Sequence, residues 1–172
     1  NSKMQKNLNL KIKFRESFRP FAPSILYPEV SKWFSLNIAS PYMLLVSQVK
    51  DIHLRVNKKK STSNLEQINK VRSKIPAVTH IDNSARIQTV HKETNPKYFK
   101  LIKKFQKISG VPMVVNTSFN IRGEPIVCSP EDAFRCFMSN DLDVLVLENF
   151  YLDKKSQNFN LKSSYISLYK LD

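Results

Sequence analysis

Apolar residues recur at intervals of three and four positions in residues 96–109 of the chain. Such spacing places them on one face of a helix. Asn95 is a good N-cap for this helix, Pro96 suits its first turn, and Gly110 suits its end. The pattern therefore predicts an amphipathic helix with its lysines turned away from an apolar stripe. The stripe consists of Tyr98, Leu101, Ile102, Phe105 and Ile108.

Short runs rich in β-branched and other apolar residues predict strands at 42–49, 111–115 and 142–147. A further apolar segment at 150–152 extends the last of them. A short helix is predicted at 28–35. Another helix is predicted to begin at Ser129, because a capping serine, a first-turn proline and two carboxylates follow one another there.

Residues 10–15 alternate strictly between apolar and basic side chains. An extended backbone would bury the apolar residues and present the three cations on the other face. The segment therefore predicts a positively charged strand, which leads through Arg19 into a stiff stretch containing two prolines. A solvated charged face is the alternative interpretation. The three cations are Lys11, Lys13 and Arg15.

Residues 75–90 predict two extended pieces around a turn at 82–84. Side chains two residues apart on a strand share a face, so a polar cluster is expected to form across the turn. Its members are His80, Asp82, Arg86 and Gln88. A structural hydrogen bond from His80 is favoured over a role for His80 as a general base.

These elements together predict an α/β (α+β) fold in which a mixed, twisted sheet is covered by helices. The 172 residues can bury one core. We expect a single domain at 1–152 and a polar tail at 153–172 that adds one strand at 165–168. The chain starts without methionine and with almost no lead-in, which indicates a fragment of a longer protein.

The net charge of +14 predicts anionic partners, such as nucleotides, phosphorylated metabolites or nucleic acid. With only two glycines in the chain, Gly-rich phosphate loops are excluded, so side chains must hold any nucleotide. Cys128 and Cys136 have no metal-ligand spacing and are expected to be buried, reduced thiols. We expect a cytoplasmic protein, because no apolar run is long enough to span a bilayer and no signal peptide is evident.

Four amide and hydroxyl side chains follow the predicted strand at 111–115 almost without a gap. Such groups are costly to bury unpaired. They must therefore either bond their own backbone as turn residues or face a polar ligand. The four are Asn116, Thr117, Ser118 and Asn120.

Three strings of the chain, taken in order, are distinctive: KIKFRESFRPFAPSIL, THIDNSARIQTV and VPMVVNTSFNIRGEPIVCSPEDA. With them, the chain closely resembles the C-terminal domain of the NodU/CmcH-type O-carbamoyltransferases, from about residue 8 to residue 152. That family carries a glycine in the turn where this chain has Asn83. Asparagine can adopt the left-handed backbone geometry, so the turn is expected to survive.

The resemblance implies a YrdC-like domain that uses carbamoyl phosphate and ATP to make carbamoyl-adenylate. An N-terminal half that resembles sugar kinases then passes the carbamoyl group to an acceptor hydroxyl. That half is missing from this chain, so the isolated domain is not expected to complete the transfer. ATP would act as co-substrate and bring Mg²⁺ with it, because no carboxylate site dedicated to the metal is evident.

The resemblance also implies a set of residues that bind carbamoyl phosphate and ATP. A Lys-x-Arg strand and a Ser-x-Asn element hold the anhydride and the phosphates in the related fold. Arginines elsewhere would add bidentate contacts to phosphate. No acid–base residue is assigned, since positioning and cationic stabilisation can supply the catalysis. The predicted set is Lys13, Arg15, Arg19, His80, Arg86, Asn116, Ser118, Asn120 and Arg122.

Two other functions remain open at this point. A basic module with lysine-rich helices could bind RNA, although its aromatic residues lie mostly on apolar faces instead of alternating with the cations. The chain could also be a structural domain of an enzyme that has lost activity.

Overall fold

The computed structural model describes residues 1–55, 68 and 70–157. The chain divides into two compact units. The first unit contains Asn1–Gln5 and Pro20–Thr117, and the second contains Lys6–Arg19 and the residues from Ser118 onward. Each unit brings together segments that are distant in the sequence.

A four-stranded mixed sheet forms the centre of the first unit, with strand order β2-β3-β1-β4. Its strands are β1 (Ala22–Leu26), β2 (Leu45–Gln48), β3 (Ser84–Val90) and β4 (Met113–Asn116). β1 runs parallel to β3 and antiparallel to β4, while β2 pairs with β3 in the antiparallel sense. Every residue of β1 is buried, because β1 lies inside the sheet. The predicted strands at 42–49 and 111–115 are confirmed with shorter bounds.

The longest helix among the described residues is α3 (Pro96–Ser109). The Asn95 side chain accepts a hydrogen bond from the Tyr98 N–H, and Gly110 ends the helix in the left-handed conformation with φ of 73°. Both predicted helix ends are confirmed. Ile102 of the predicted stripe is fully buried against Leu26 and Val90, whereas Ile108 is 87% exposed. Only part of the predicted stripe therefore packs on the sheet.

The remaining helical elements of the first part of the chain are short. α1 covers Ser2–Asn7, and α2 covers Val30–Trp33 after a 3₁₀ turn at Tyr27–Glu29. The predicted helix at 28–35 is thus confirmed as a shorter one. Further 3₁₀ turns lie at Asp51–His53 and Pro76–Val78.

The second unit is built on α4 (Pro130–Ser139) and a hairpin of β5 (Val144–Leu147) and β6 (Phe150–Asp153). Ser129 and Asp132 form a reciprocal capping box at the start of α4, which confirms the predicted helix start. A 3₁₀ turn at Lys154–Ser156 follows the hairpin. The core of this unit is formed by Ala133, Phe137, Met138 and Leu145.

The predicted strand at residues 10–15 is wrong. Residues Leu8–Ile12 form a π-helical turn, and the next residue, Lys13, ends it. In this turn Leu10 is 47% exposed while Asn9 is fully buried, so the alternation of apolar and basic residues does not reflect burial. Asn9 donates hydrogen bonds to the carbonyl oxygens of Ser17 and Arg19, and these bonds stabilise the bent backbone.

Only the second of the two extended pieces predicted at 75–90 is a strand, namely β3. The first contains the 3₁₀ turn at Pro76–Val78, which Thr79 stabilises by donating a hydrogen bond to the Ile75 carbonyl oxygen. Asn83 has φ of 64°, so its predicted left-handed geometry is confirmed. The prediction that both cysteines are buried is half wrong, since Cys136 is buried but Cys128 is exposed.

A mixed α/β fold with helices packed on a mixed sheet is confirmed. Its YrdC-like character and the division into a domain at 1–152 and a tail at 153–172 stay predictions. The strand expected at 165–168 lies outside the described residues. Within the described part of the chain, no helix combines the length and apolar character needed to cross a bilayer.

Candidate functional site

The ammonium group of Lys13 is bound by a loop that follows more than one hundred residues later in the chain. Lys13 Nζ donates to Asn120 Oδ1 and to the Asn120 carbonyl oxygen, both at 2.9 Å. It also donates to the Ser118 carbonyl oxygen and, at 3.3 Å, lies near Ser118 Oγ. The loop therefore offers four oxygen atoms to three ammonium hydrogens.

Hydrogen bonds within the loop hold these oxygens in place. Ser118 Oγ donates to Asn120 Oδ1 at 2.7 Å, and Asn120 Nδ2 donates to the Glu124 carbonyl oxygen at 2.8 Å. A turn closes the loop, in which the Glu124 N–H bonds to the Ile121 carbonyl oxygen and Gly123 takes a φ of 78°. Glycine adopts this left-handed geometry at little cost, which explains why one of the two glycines of the chain lies here.

Lys13 reaches the loop because the backbone turns sharply after it. Phe14 has φ of 48°, an uncommon conformation for a bulky residue. Its ring packs with Ile121 and Cys136, and this contact holds the bend in place. Backbone strain of this kind persists only where the surrounding structure enforces it. The strained residue Phe14 lies between Lys13, which is 7% exposed, and Arg15, which is half-buried.

Burial and nearby cations disfavour the charged form of Lys13. Burial, and to a smaller extent the Arg15 guanidinium, lower the pKa of Lys13 from 10.5 to about 8, while Cys136 and Glu124 oppose the shift. Burial and the neighbouring Arg19 lower the pKa of Arg15 as well. Arg15 is thus close enough to Lys13, and Arg19 close enough to Arg15, to disfavour the charged form of that neighbour, which is an arrangement that a bound anion would relieve.

The two arginines of this segment are fixed in different ways. Arg15 Nε donates to Asn9 Oδ1 at 2.7 Å, so a buried amide orients the half-buried guanidinium. Arg19 is exposed and forms a long ion pair of 3.9 Å with Glu16. Arg122, the remaining predicted arginine of this unit, is exposed two residues after Asn120. The second unit thus places Lys13 directly on Ser118 and Asn120.

The other predicted site residues, His80, Arg86 and Asn116, belong to the first unit. Asn116 Nδ2 donates to Gln88 Oε1 at 2.8 Å, and the buried Ser24 hydroxyl donates to the same oxygen at 2.5 Å. The Gln88 amide in turn donates to the Pro41 carbonyl oxygen at 3.1 Å.

His80 and Arg86 are both exposed. Asp82 accepts two hydrogen bonds from Ser84 and thereby stabilises the turn before β3. Because Gln88 bonds to Ser24 and Asn116, its predicted place in the polar cluster across that turn is wrong. His80 does lie near Asp82: the hydrogen bonds from Ser84 and, to a smaller extent, His80 lower the pKa of the Asp82 carboxyl. The roles of the nine predicted site residues in binding carbamoyl phosphate and ATP stay predictions.

Sequence patterns did not reveal two residues that shape the lysine-binding loop. Asn9 lies just before the alternating segment at 10–15, and only its burial and its hydrogen bond from Arg15 show that it orients that arginine. Glu124 accepts a hydrogen bond from the Ile121 N–H at 2.8 Å and is 7% exposed. A carboxylate beside the turn glycine was the available signal, because a charged residue requires a partner when it is buried.

The arrangement in the second unit is suited to an anion with several oxygen atoms. Arginine forks bind phosphate and carboxylate oxygens in pairs, and a desolvated lysine adds a point charge. Among the described residues no group of three or more histidine, cysteine or acidic side chains could hold a metal ion. The lysine and the arginines of this site can stabilise negative charge and position an anion.

A family model described as "Carbamoyltransferase C-terminus" matches residues 1–154 of the chain. An uncharacterised protein of Synechocystis sp., sll1178, is 54% identical over 160 residues, which is 91% of this chain and 26% of that protein. The nodulation protein NolO of Bradyrhizobium diazoefficiens is 38% identical over 151 residues, covering 86% of this chain and 24% of NolO.

Nodulation protein U of Sinorhizobium fredii is 35% identical over 120 residues, or 70% of this chain and 18% of that protein. The chain thus spans about a quarter, or less, of the length of these relatives. The similarity is confined to one part of each longer protein.

Proposed function

The chain belongs to the family of carbamoyltransferase C-terminal domains, and on this basis we propose that it binds carbamoyl phosphate and ATP and forms carbamoyl-adenylate. The family membership establishes the class of enzyme to which such a domain belongs. The two substrates and the adenylate are the proposal. In the longer relatives the remaining part of the protein would then transfer the carbamoyl group to an acceptor hydroxyl.

The observation that carries this proposal is the position of Lys13 against Ser118 and Asn120, with Arg15 and Arg19 close by. Like charges held together are costly unless an anion compensates them. The family resemblance implies a lysine held by a Ser-x-Asn element, and Lys13 lies on Ser118 and Asn120 in this way, whereas Arg15 is bonded to Asn9. Carbamoyl phosphate and the ATP triphosphate both offer the oxygen-rich anion that these groups would bind.

The proposed reaction has two balanced steps. Water first cleaves carbamoyl phosphate to carbamate and inorganic phosphate. A carbamate oxygen then attacks the α-phosphorus of ATP, the bond from that phosphorus to the bridging oxygen breaks, and pyrophosphate leaves with the electron pair. The products are carbamoyl-adenylate, phosphate and pyrophosphate.

The side chains at the site would act by stabilising charge. Negative charge on the α-phosphoryl oxygens and on the departing pyrophosphate would be met by the Lys13 ammonium and by the guanidinium groups of Arg15, Arg19 and Arg122. No protein nucleophile is required. Mg²⁺ that enters with ATP would neutralise part of the triphosphate charge.

Binding and product formation by the chain test the proposal. Wild-type protein is titrated by calorimetry with carbamoyl phosphate, ATP and a short RNA, and pyrophosphate release is followed with both substrates present. Arg15→Ala should weaken carbamoyl phosphate binding at least about tenfold, since a half-buried phosphate fork is lost. Lys104→Ala, which removes an exposed lysine of α3, is the matched control and should bind as the wild type does.

The outcomes separate the three candidate functions. Binding of carbamoyl phosphate that Arg15→Ala weakens and Lys104→Ala does not would support the proposal. Tight, salt-sensitive RNA binding without a response to carbamoyl phosphate would favour the nucleic-acid-binding module. A chain that binds none of the three would favour a structural domain.

A further inference from the structure

Glu124 holds the lysine-binding loop by accepting hydrogen bonds with both its side chain and its backbone. Its carboxylate accepts the Ile121 N–H at 2.8 Å, and its carbonyl oxygen accepts Asn120 Nδ2, also at 2.8 Å. Two consecutive residues of the loop, Asn120 and Ile121, are thereby bound to one residue. The oxygens of Asn120 that accept from Lys13 depend on this geometry.

Glu124 is also one of few groups that offset the burial of the Lys13 charge. It is 7% exposed, which for a carboxylate requires compensating hydrogen bonds or cations. Among the ionisable neighbours of Lys13, Arg15 disfavours its charge, and Cys136 and Glu124 favour it. The Cys136 thiol forms a hydrogen bond with Glu124, and burial raises the pKa of this thiol to about 12, so Cys136 stays neutral at ordinary pH.

We propose that Glu124 is a positioning residue of the anion site: its carboxylate fixes the turn that carries Asn120, and its negative charge keeps the Lys13 ammonium protonated against that turn. The inference rests on the proposed function, because it assigns Lys13 to the binding of an anion. Glu124 itself acts through Lys13 and is not placed in contact with the substrate.

The variant Glu124→Gln distinguishes the effect of the negative charge of Glu124 from the effect of its side-chain shape. Glutamine keeps an oxygen to accept the Ile121 N–H but removes the negative charge. The ¹³Cε resonance of Lys13 is followed by NMR across a pH titration. It is assigned as the resonance that is absent from the spectrum of Lys13→Met. Glu131→Gln, at an exposed position in the first turn of α4, is the matched control. Near-ultraviolet circular dichroism verifies that each variant is folded.

The expected result is a lower titration midpoint of Lys13 in Glu124→Gln and an unchanged midpoint in Glu131→Gln. For carbamoyl phosphate, the ratio of the variant Kd to the wild-type Kd should be close to one at about pH 6, where Lys13 is charged in both proteins, and should rise several-fold by about pH 8. A residue with a purely structural role would give a ratio that does not depend on pH.

An unchanged Lys13 midpoint in Glu124→Gln, or a constant ratio of Kd values, would overturn the inference. If Glu124→Gln does not fold, Glu124→Asp is used, which retains the charge on a shorter side chain. A retained Lys13 midpoint in Glu124→Asp then supports the inference, and a lowered midpoint contradicts it. If the wild type fails to bind carbamoyl phosphate, the proposed function fails, while the Lys13 titration still decides whether Glu124 controls its charge.

Discussion

Lys13 Nζ lies 2.9 Å from Asn120 Oδ1, although 107 positions of sequence separate the two residues. The lysine is 7% exposed, and its ammonium group lies within hydrogen-bonding distance of four oxygens of one loop. A buried ammonium keeps its charge only when neighbouring groups compensate for lost hydration. The properties of the proposed anion site therefore depend on the protonation of Lys13.

Anion binding is predicted to weaken as pH rises through about 8, where Lys13 loses its proton. The phosphate group of the ligand is already fully ionised there, since its second pKa is about 6. Wild-type affinity for carbamoyl phosphate should fall by up to about tenfold between about pH 7 and pH 9. Lys13→Met should bind more weakly and show no inflection in this range. Calorimetry at each pH measures the affinity of both proteins. Identical pH profiles for the wild type and Lys13→Met would contradict the prediction.

Loss of the same Lys13 proton should increase the stability of the fold, whereas it weakens anion binding. Lys13 has a pKa of about 8 in the folded state against 10.5 for the ordinary side chain. Between these values the unfolded chain binds the proton and the folded chain does not, so stability rises with pH. The free energy of unfolding of the wild type should therefore rise relative to that of Lys13→Met from about pH 8 to about pH 10.5. Urea denaturation of both proteins across this pH range measures this rise. A difference in the free energy of unfolding that does not change with pH would contradict the prediction.

Gln88 and Ser24 are predicted to be energetically coupled. The buried Ser24 hydroxyl donates to Gln88 Oε1, so Gln88→Met leaves a buried donor unpaired. The single variants should each lower the free energy of unfolding by about 1–3 kcal/mol, and the double variant with Ser24→Ala should lose less than their sum. The control cycle combines Gln88→Met with Ser109→Ala on α3 and should be additive. Additivity in both cycles would show that the two residues are not coupled.

The end of α3 depends on the backbone conformation of Gly110. Its φ is 73°, and a Cβ built on it meets no atom within 4 Å, so the cost of substitution lies in the backbone alone. Gly110→Ala should lower the free energy of unfolding by about 1 kcal/mol. Gly110→Asn should lower the free energy of unfolding by clearly less than Gly110→Ala does, because asparagine tolerates the left-handed conformation. Equal losses in the two variants, measured by denaturation, would argue against this explanation.

Lys154 caps the C-terminal end of α4 with its side chain. Its ammonium donates to the carbonyl oxygens of Phe137 and Asn140 and lies 4.7 Å from the centre of the Phe137 ring. Lys154→Met should lower the free energy of unfolding by about 1–3 kcal/mol, since charged hydrogen bonds to unpaired helix carbonyls are lost. Lys155→Met removes the exposed neighbouring lysine and should change stability by less than about 0.5 kcal/mol. Thermal denaturation of both variants tests this difference.

Local patterns predicted the elements whose determinants lie within a few residues of each other. Asn95 and Gly110 mark the ends of α3, and Ser129 and Asp132 mark the start of α4, because each bonds to backbone groups of its own helix or takes a special backbone angle. Asn83 is a similar case, since its left-handed conformation depends on its own side chain.

Patterns failed where burial is decided by residues far away in the sequence. Residues 10–15 alternate as a strand would, yet they form the end of a π-helical turn and a bend. Alternation reports burial only if one face meets a core, and here Asn9 and Lys13 are buried through bonds to Arg19 and Asn120. The place predicted for Gln88 in the polar cluster around His80 was wrong for the same reason, because Gln88 binds Ser24 and Asn116 instead.

The sequence by itself determined the principal helices, most of the strands, the basic character of the chain and, through its distinctive strings, the family. These properties depend on local backbone preference, composition and residue identity, all of which can be evaluated without knowing what packs against what. Only the tertiary structure decided that Lys13 is buried on Ser118 and Asn120 and that Glu124 holds their turn. Such contacts form only when distant segments meet and lose their water, and no local pattern records which segments those will be.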